Sequence, residues 1–234
     1  MKDKLFIIMP AYNEELNIEK VATDYIDIVN KIGNDSKLVI INDGSKDNTK
    51  EKLDILKEKY RNLISINKEN SGHGPTLLYG YKYAIENNAD YIFQVDSDDQ
   101  TSPNDFWKFW KERENYSLVI GHRNKREDGL SRIVVTKTLK LVILLTFKLN
   151  IIDANTPFRL INTNTLKKYI NLFPDDFNLT NVLLTVIFTK YEKVKYFPIS
   201  FKKRQKGINS INIPKITKIG LKALKDFRVL AKKI

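Results

Sequence analysis

Over the first 105 or so residues, short apolar runs alternate with stretches of helical periodicity. Leu5-Phe6-Ile7-Ile8-Met9 is continuously apolar, the pattern of a strand buried on both faces. It ends at Pro10-Ala11-Tyr12-Asn13-Glu14-Glu15, where Asn13 can cap a helix over about residues 14–31 with Glu14 and Glu15 in its positive first turn. Leu38-Val39-Ile40-Ile41 repeats the strand pattern and runs into Asn42-Asp43-Gly44-Ser45-Lys46-Asp47-Asn48, before an amphipathic helix to about Tyr60. A third run, Leu63-Ile64-Ser65-Ile66, leads to Asn70-Ser71-Gly72-His73-Gly74-Pro75 and a helix to about Glu86. The fourth, Tyr91-Ile92-Phe93-Gln94-Val95, meets Asp96-Ser97-Asp98-Asp99-Gln100, and Pro103 opens the next helix. Four such units predict an α/β fold, a mostly parallel central sheet flanked by helices, with all four strand-end loops on one edge.

That edge is where open α/β sheets bind ligands. Asp96, Asp98 and Asp99 repel one another unless a cation or a set of donors offsets them, and oxygen-only ligands suit Mg²⁺ or Mn²⁺. Taken alone, Asp-x-Asp is also compatible with a solvated turn or a helix cap. A calcium EF-hand frame fails, because counting from Asp96 puts Thr101 at the glycine position and Trp107 at the final glutamate position. Gly72-His73-Gly74 is not completed at Leu77 as a dinucleotide fingerprint, and there is no Gly-Lys-Ser/Thr of a P-loop.

Composition narrows the chemistry. With 234 residues, 42% of them hydrophobic, the chain can bury one sizeable core. The absence of cysteine excludes thiolate zinc sites and cysteine nucleophiles, and two histidines, His73 and His122, are too few for a multi-histidine metal site; both are read as hydrogen-bonding loop residues. Phe106, Trp107, Phe109 and Trp110 alternate too closely for one helical stripe and are read as core. The net charge of +12 is concentrated: residues 201–234 carry eleven Lys/Arg against Asp226 alone, 11 − 1 = +10. The basicity therefore belongs to one C-terminal element and not to a nucleic-acid surface; no nucleic-acid partner is expected. On a helix starting at Pro214, Ile216, Ile219, Ala223, Leu224, Phe227, Leu230, Ala231 and Ile234 share one face and lysines the other. That helix can lie on an anionic membrane surface or pack on the domain. Leu141-Val142-Ile143-Leu144-Leu145 can add to the same surface or to the core. The segment 139–152, broken by Lys140 and Lys148, falls short of the roughly 20 residues of a spanning helix. No leader is visible at the N-terminus, so the expected location is cytoplasmic, peripheral on the cytosolic membrane face.

Taken in order, the four loop motifs resemble those of family 2 glycosyltransferases with the GT-A fold, and most nearly the branch of dolichol-phosphate mannose synthase and bacterial polyprenyl-phosphate glycosyltransferases. Gly121-His122-Arg123 with Arg126 and Arg132 is similar to that branch's basic loop. Asp153 to Arg159 is similar to its Asp-x-x-x-Gly-Phe-Arg, with Pro157 in place of Gly. Arg204-x-x-Gly207-x-x-Ser210 is similar to its Arg-x-x-Gly-x-Ser, with Ser210 one place late. The resemblance implies a glycosyltransferase domain over 1–212, its nucleotide-sugar half at about 1–105 and its acceptor half at about 106–212, followed by the basic helix 213–234.

It also implies roles. Pro10, Tyr12, Glu14, Asp43, Gly72, Asp96 and Arg204 would bind a nucleotide-diphosphate sugar, with Asp43 on the base or ribose. Asp96, Asp98 and Gln100 would hold Mg²⁺ or Mn²⁺, while Asp99 is only a neighbour. Arg123, Arg126, Arg132, Arg159 and Ser210 would hold an acceptor or its phosphate, because guanidinium forks match phosphate oxygens. Asp153, Asp98 and Arg132 would be catalytic, with Asp153 alternatively an N-cap or an ion-pair partner of Arg159. The implied reaction is metal-dependent, inverting transfer from a GDP- or UDP-sugar to a polyprenyl or dolichyl phosphate. Transfer to a glycan hydroxyl is the alternative, and a non-catalytic basic binding module a remote one.

Overall fold

The computed structural model describes residues 3–123, 130–202 and 226–232, with side chains of 123 and 130–135 left aside. Among the described residues up to 202, strands and α-helices follow in the order β1 (Leu5–Ala11), α1 (Ile18–Ile32), β2 (Lys37–Asp43), α2 (Thr49–Lys59), β3 (Leu63–Lys68), α3 (His73–Glu86), β4 (Tyr91–Val95), α4 (Phe106–Trp110), β5 (Leu118–Arg123), α5 (Leu130–Phe147), β6 (Phe158–Asn162), α6 (Thr163–Tyr169), α7 (Thr180–Tyr191) and β7 (Val194–Ile199), and 226–230 are again helical. The strands form one sheet in the order β3-β2-β1-β4-β6-β5-β7, in which β6 alone runs antiparallel to its neighbours.

The period-2 alternation of β1 explains the two layers. Leu5, Ile7 and Met9 face a core shared with α1, α2 and α4; Phe6 and Ile8 face one shared with α3, α5, α6 and α7. Pro10 is tolerated in this central strand because pairing with β4 stops at Ile8, where its missing N–H would otherwise be needed.

Register fixes the edge. β4 ends where β6 begins, with Val95 opposite Phe158, so the loop before β6 lies beside the acidic loop after β4. Gly121-His122-Arg123, expected in a loop, is instead the end of β5, paired with Phe197 to Ile199 of β7. The chain beyond β7 then returns to the acidic loop through a bridge from Phe201 to Thr101.

One helix starts later than expected. Asn13 sits in the left-handed region at φ 56° and its Oδ1 accepts from Lys46 N–H at 2.8 Å, so it caps nothing and α1 begins at Ile18. Glu14 and Glu15 accordingly lie in the loop and not in a helical first turn.

At the C-terminus the described residues favour packing. Phe227 and Leu230 are buried, with the Phe227 ring 5.6 Å from Phe147 and 5.8 Å from Phe177. The rest of the proposed basic helix lies outside the described residues.

Candidate active site at the strand ends

The loops after β1 and β2 form one wall because they are laced together. Asn13 N–H donates to Ser45 Oγ (2.9 Å), Glu14 N–H to Thr49 Oγ1 (2.8 Å), Glu15 N–H to Asp47 Oδ2 (3.1 Å) and Asn48 N–H to Glu15 Oε2 (3.0 Å). Glu14 is buried and accepts from Asn17 Nδ2 at 2.8 Å. Tyr12 is exposed at this rim and Pro10 is buried beneath it. Sequence reasoning assigned nothing to Ser45 or Asp47; their signal is only the Asp/Ser/Asn content of a turn.

Asp43 builds a second wall. Its register partner on β3 is Lys68, whose Nζ donates to Asp43 Oδ1 at 2.5 Å, to Ser71 Oγ at 2.7 Å and to the backbone oxygen of Glu69 at 2.6 Å. Ser71 N–H donates to Asp43 Oδ1 and Gly72 N–H to Oδ2, both at 2.9 Å. Burial by itself raises the Asp43 pKa, but the donors from Lys68, Ser71 and Gly72 outweigh it and hold the carboxyl below its usual range. Its oxygens tie down the 69–72 loop, beside which the expected base or ribose would lie. Lys68 was missed because only the β2–β3 register reveals it.

Gly72, at φ 95°, takes a backbone open to glycine and precedes α3. Gly74 serves packing, not ligand approach: a Cβ there would lie 2.2 Å from the backbone oxygen of Phe177.

The acidic loop is held from below by an aromatic cluster. Phe93, at the middle of β4, meets Phe106 at 4.9 Å and Phe158 at 4.7 Å, both edge-on, contacts worth about 0.5–1.5 kcal/mol each beyond area burial. Ser97 Oγ donates to the backbone oxygen of Pro10 at 2.9 Å, tying the acidic loop to the first wall. Asp98 Oδ1 accepts from Gln100 N–H at 3.2 Å, and Gln100 Nε2 donates to Lys202 O at 2.9 Å. Asp99 turns away: at φ 57°, its Oδ1 pairs with Lys20 of α1 at 2.7 Å. Asp96 Oδ1 lies 3.8 Å from His73 Nε2. Burial lowers the His73 pKa although 48% of its side chain stays accessible, so the ring is neutral at pH 7.

Asp96 and Asp98 together offer hard oxygen donors at a strand end. Among the described residues no three His, Asp or Glu side chains gather into a cage. Mg²⁺ and Mn²⁺ fit such a donor set, since they take one or two protein carboxylates and complete their shell from phosphate and water.

The loop before β6 is set by Arg159. It is wholly buried, and its guanidinium donates to Thr156 O (2.7 Å), Ala154 O (2.7 Å), Asn181 O (2.8 Å) and Thr185 Oγ1 (2.8 Å). Arg159 therefore braces the loop before β6 against α7, and its bonds are all to the protein's own oxygens rather than to the acceptor expected of it. Asp153, in that loop, is buried with Oδ1 accepting from Asn155 N–H at 3.1 Å, an Asx turn and not an N-cap. Arg126, Arg204 and Ser210 lie outside the described residues, as do the side chains of Arg123 at the end of β5 and Arg132 on α5.

A family model described as Glycosyl transferase family 2 matches residues 6–172. A protein of Methanocaldococcus jannaschii, itself uncharacterized, is 28% identical over 94% of this chain and 98% of its own length. The UDP-N-acetylglucosamine–dolichyl-phosphate N-acetylglucosaminyltransferase of Methanococcus voltae is 34% identical over 58% of this chain, a match spanning 59% of that enzyme. Among solved structures, glucosyl-3-phosphoglycerate synthase of Mycobacterium tuberculosis with Mn²⁺ and UDP-glucose superposes with a TM-score of 0.72 at 13% identity, over 98% of this chain and 79% of that one. This last likeness is one of fold.

Proposed function

The chain belongs to glycosyl transferase family 2, and we propose that it moves a sugar from a nucleotide diphosphate to a lipid-linked phosphate, with Mg²⁺ or Mn²⁺, at the cytosolic face of a membrane. One observation carries the reading: Val95 opposite Phe158 sets the acidic loop of the donor half against the Asp153 loop of the acceptor half. A reaction joining two substrates needs that adjacency.

The laced loops over 10–15 and 43–49 and the Asp43-braced loop over 69–72 would enclose the nucleoside. Tyr12 offers it an aromatic face, and Gly72 leaves room for backbone approach. Asp96 and Asp98 would hold the ion at the diphosphate, where it supplies Lewis-acid stabilisation of the departing phosphate oxygens. The acceptor oxygen attacks the anomeric carbon from the opposite face. The bond to the diphosphate breaks as the new bond forms, and configuration inverts. A phosphate acceptor is already ionised near neutral pH and needs no base. Arg123, Arg126, Arg132, Arg204 and Ser210 are the proposed acceptor and phosphate contacts. The Methanococcus voltae relative, named for transfer to dolichyl phosphate, supports this acceptor class. Buried Asp153 beside the acidic loop favours one second reading, a general base for a glycan hydroxyl.

The test pairs binding with transfer. UDP or GDP with Mn²⁺ should raise the melting temperature, and labelled sugar should appear on polyprenyl phosphate. Product on oligosaccharide alone would decide for the hydroxyl acceptor, and no stabilisation by either nucleotide would overturn the donor assignment.

A further inference from the structure

Helix α5 buries Ile143 and Phe147 and turns a second apolar stripe outward. Leu141, Leu144 and Leu145 are 55%, 47% and 73% exposed. At 100° per residue they share one face, and Lys137, one turn before Leu141, and Lys148, one turn after Leu144, prolong it at both ends. Both lysines and Lys140 on the flank are exposed, and residues 130–152 contain no Asp or Glu. A further exposed leucine-sized side chain, Ile152, follows just before the Asp153 loop. Beside the last turn of α5, the packed Phe227 brings in exposed Arg228, Val229 and Lys232 together with the half-buried acid Asp226.

Leucines alone would leave the occupant of such a face open. The charge decides it: lysines bracket the stripe at both ends, residues 130–152 carry no acid of their own, and lysine stems can lie along apolar surface while their ammonium groups reach phosphate headgroups. Among the described residues no helix is long and apolar enough to cross a membrane, so this face is not part of a described span.

We infer that the outer face of α5, through Leu141, Leu144 and Leu145 between Lys137 and Lys148, seats the protein on an anionic lipid bilayer surface. The seat lies at the acceptor end of the site, because the chain passes from Phe147 to Asp153 in six residues. The inference deepens the lipid-acceptor reading, and its test is read without catalysis.

The full chain is sedimented with phosphatidylcholine vesicles containing phosphatidylglycerol, then with phosphatidylcholine alone. Leu144→Glu/Leu145→Glu, two exposed positions, should lower partitioning onto anionic vesicles by about tenfold or more. Lys137→Glu/Lys148→Glu should do the same and remove most of the salt dependence. The melting temperature and its rise with UDP or GDP and Mn²⁺ should be unchanged in both. Vesicle binding equal to wild type in the leucine variant would overturn the inference, placing the contact elsewhere. So would the absence of wild-type binding, or a wild-type dimer that the leucine variant dissociates, since the face would then meet a second copy. A protein that binds vesicles yet transfers no sugar to polyprenyl phosphate would keep the seat and lose the acceptor reading.

Discussion

Arg159 Nε donates to the backbone oxygen of Thr156 at 2.7 Å, so a guanidinium on the second residue of β6 holds the loop that precedes its own strand. The same group reaches Ala154 O, Asn181 O and Thr185 Oγ1, and burial lowers its pKa below the usual arginine value. Arg159→Met would leave Thr156 O without its donor, while Ala154 O and Asn181 O would keep only the Thr185 hydroxyl. An orphaned buried acceptor costs about 1–3 kcal/mol, so the variant should lose at least about 1 kcal/mol in urea unfolding and lose transfer activity with it. A variant with wild-type stability would show that the loop is held by other means.

Asp43 gives a pH dependence whose sign follows from its partners. Its folded-state pKa is depressed below the reference 3.8, so its contribution is complete above that value and is lost as pH falls through the lower, folded-state one. Asp43→Asn should be about 1–3 kcal/mol less stable at pH 7, since the amide has one acceptor oxygen for the donors of Lys68, Ser71 and Gly72. The gap should narrow as pH falls below the reference 3.8, measured by urea titration at pH 7 and in acid.

Within the acidic loop, neighbouring carboxylates should behave oppositely. Asp98→Ala should lower turnover at least about a hundredfold and abolish the Mn²⁺-dependent thermal shift with UDP or GDP, with little change in the apo melting temperature. Asp99→Gly should retain turnover: it removes an exposed pair with Lys20 worth about 1 kcal/mol or less and suits the left-handed φ of 57°. Equal losses in the two variants would reject the assignment of Asp98 to the ion.

Gly74→Ala tests the packing of α3. Helix propensity favours the change by about 1 kcal/mol, yet the new methyl would meet the backbone of Phe177 and Asn178 at 2.2–2.7 Å. Since backbone must move, the net effect should be a loss of about 1–3 kcal/mol, read as a lower melting temperature.

The first 105 or so residues were legible because their signals are local. An apolar run, a turn rich in Asp, Asn and Gly, and a helical stretch occupy about 25 consecutive residues each, and their alternation is enough to place four loops on one edge. Tyr91–Val95 is a strand, as its run of β-branched and aromatic residues implied, and of the four aromatics read as core Phe106 and Phe109 are buried while Trp107 and Trp110 pack partly buried against them. Asn13 misled for an equally local reason: it is a good cap residue, but its side chain found Lys46 N–H across the loop instead. Arg159 misled because a phosphate-binding arginine and a loop-bracing arginine look alike until burial is known.

The chain's own residue order settled which chemistry is available: carboxylates without thiols, loops at strand ends, one basic C-terminal run. Tertiary structure alone decided how it is used. The antiparallel insertion of β6 joins segments some sixty residues apart, the β2–β3 register gives Asp43 its lysine, and a left-handed turn sends Asp99 to Lys20 while Asp96 and Asp98 stay with the site. Pairings of that kind depend on which strands meet and in what register, and neither is written in the periodicity of any single segment.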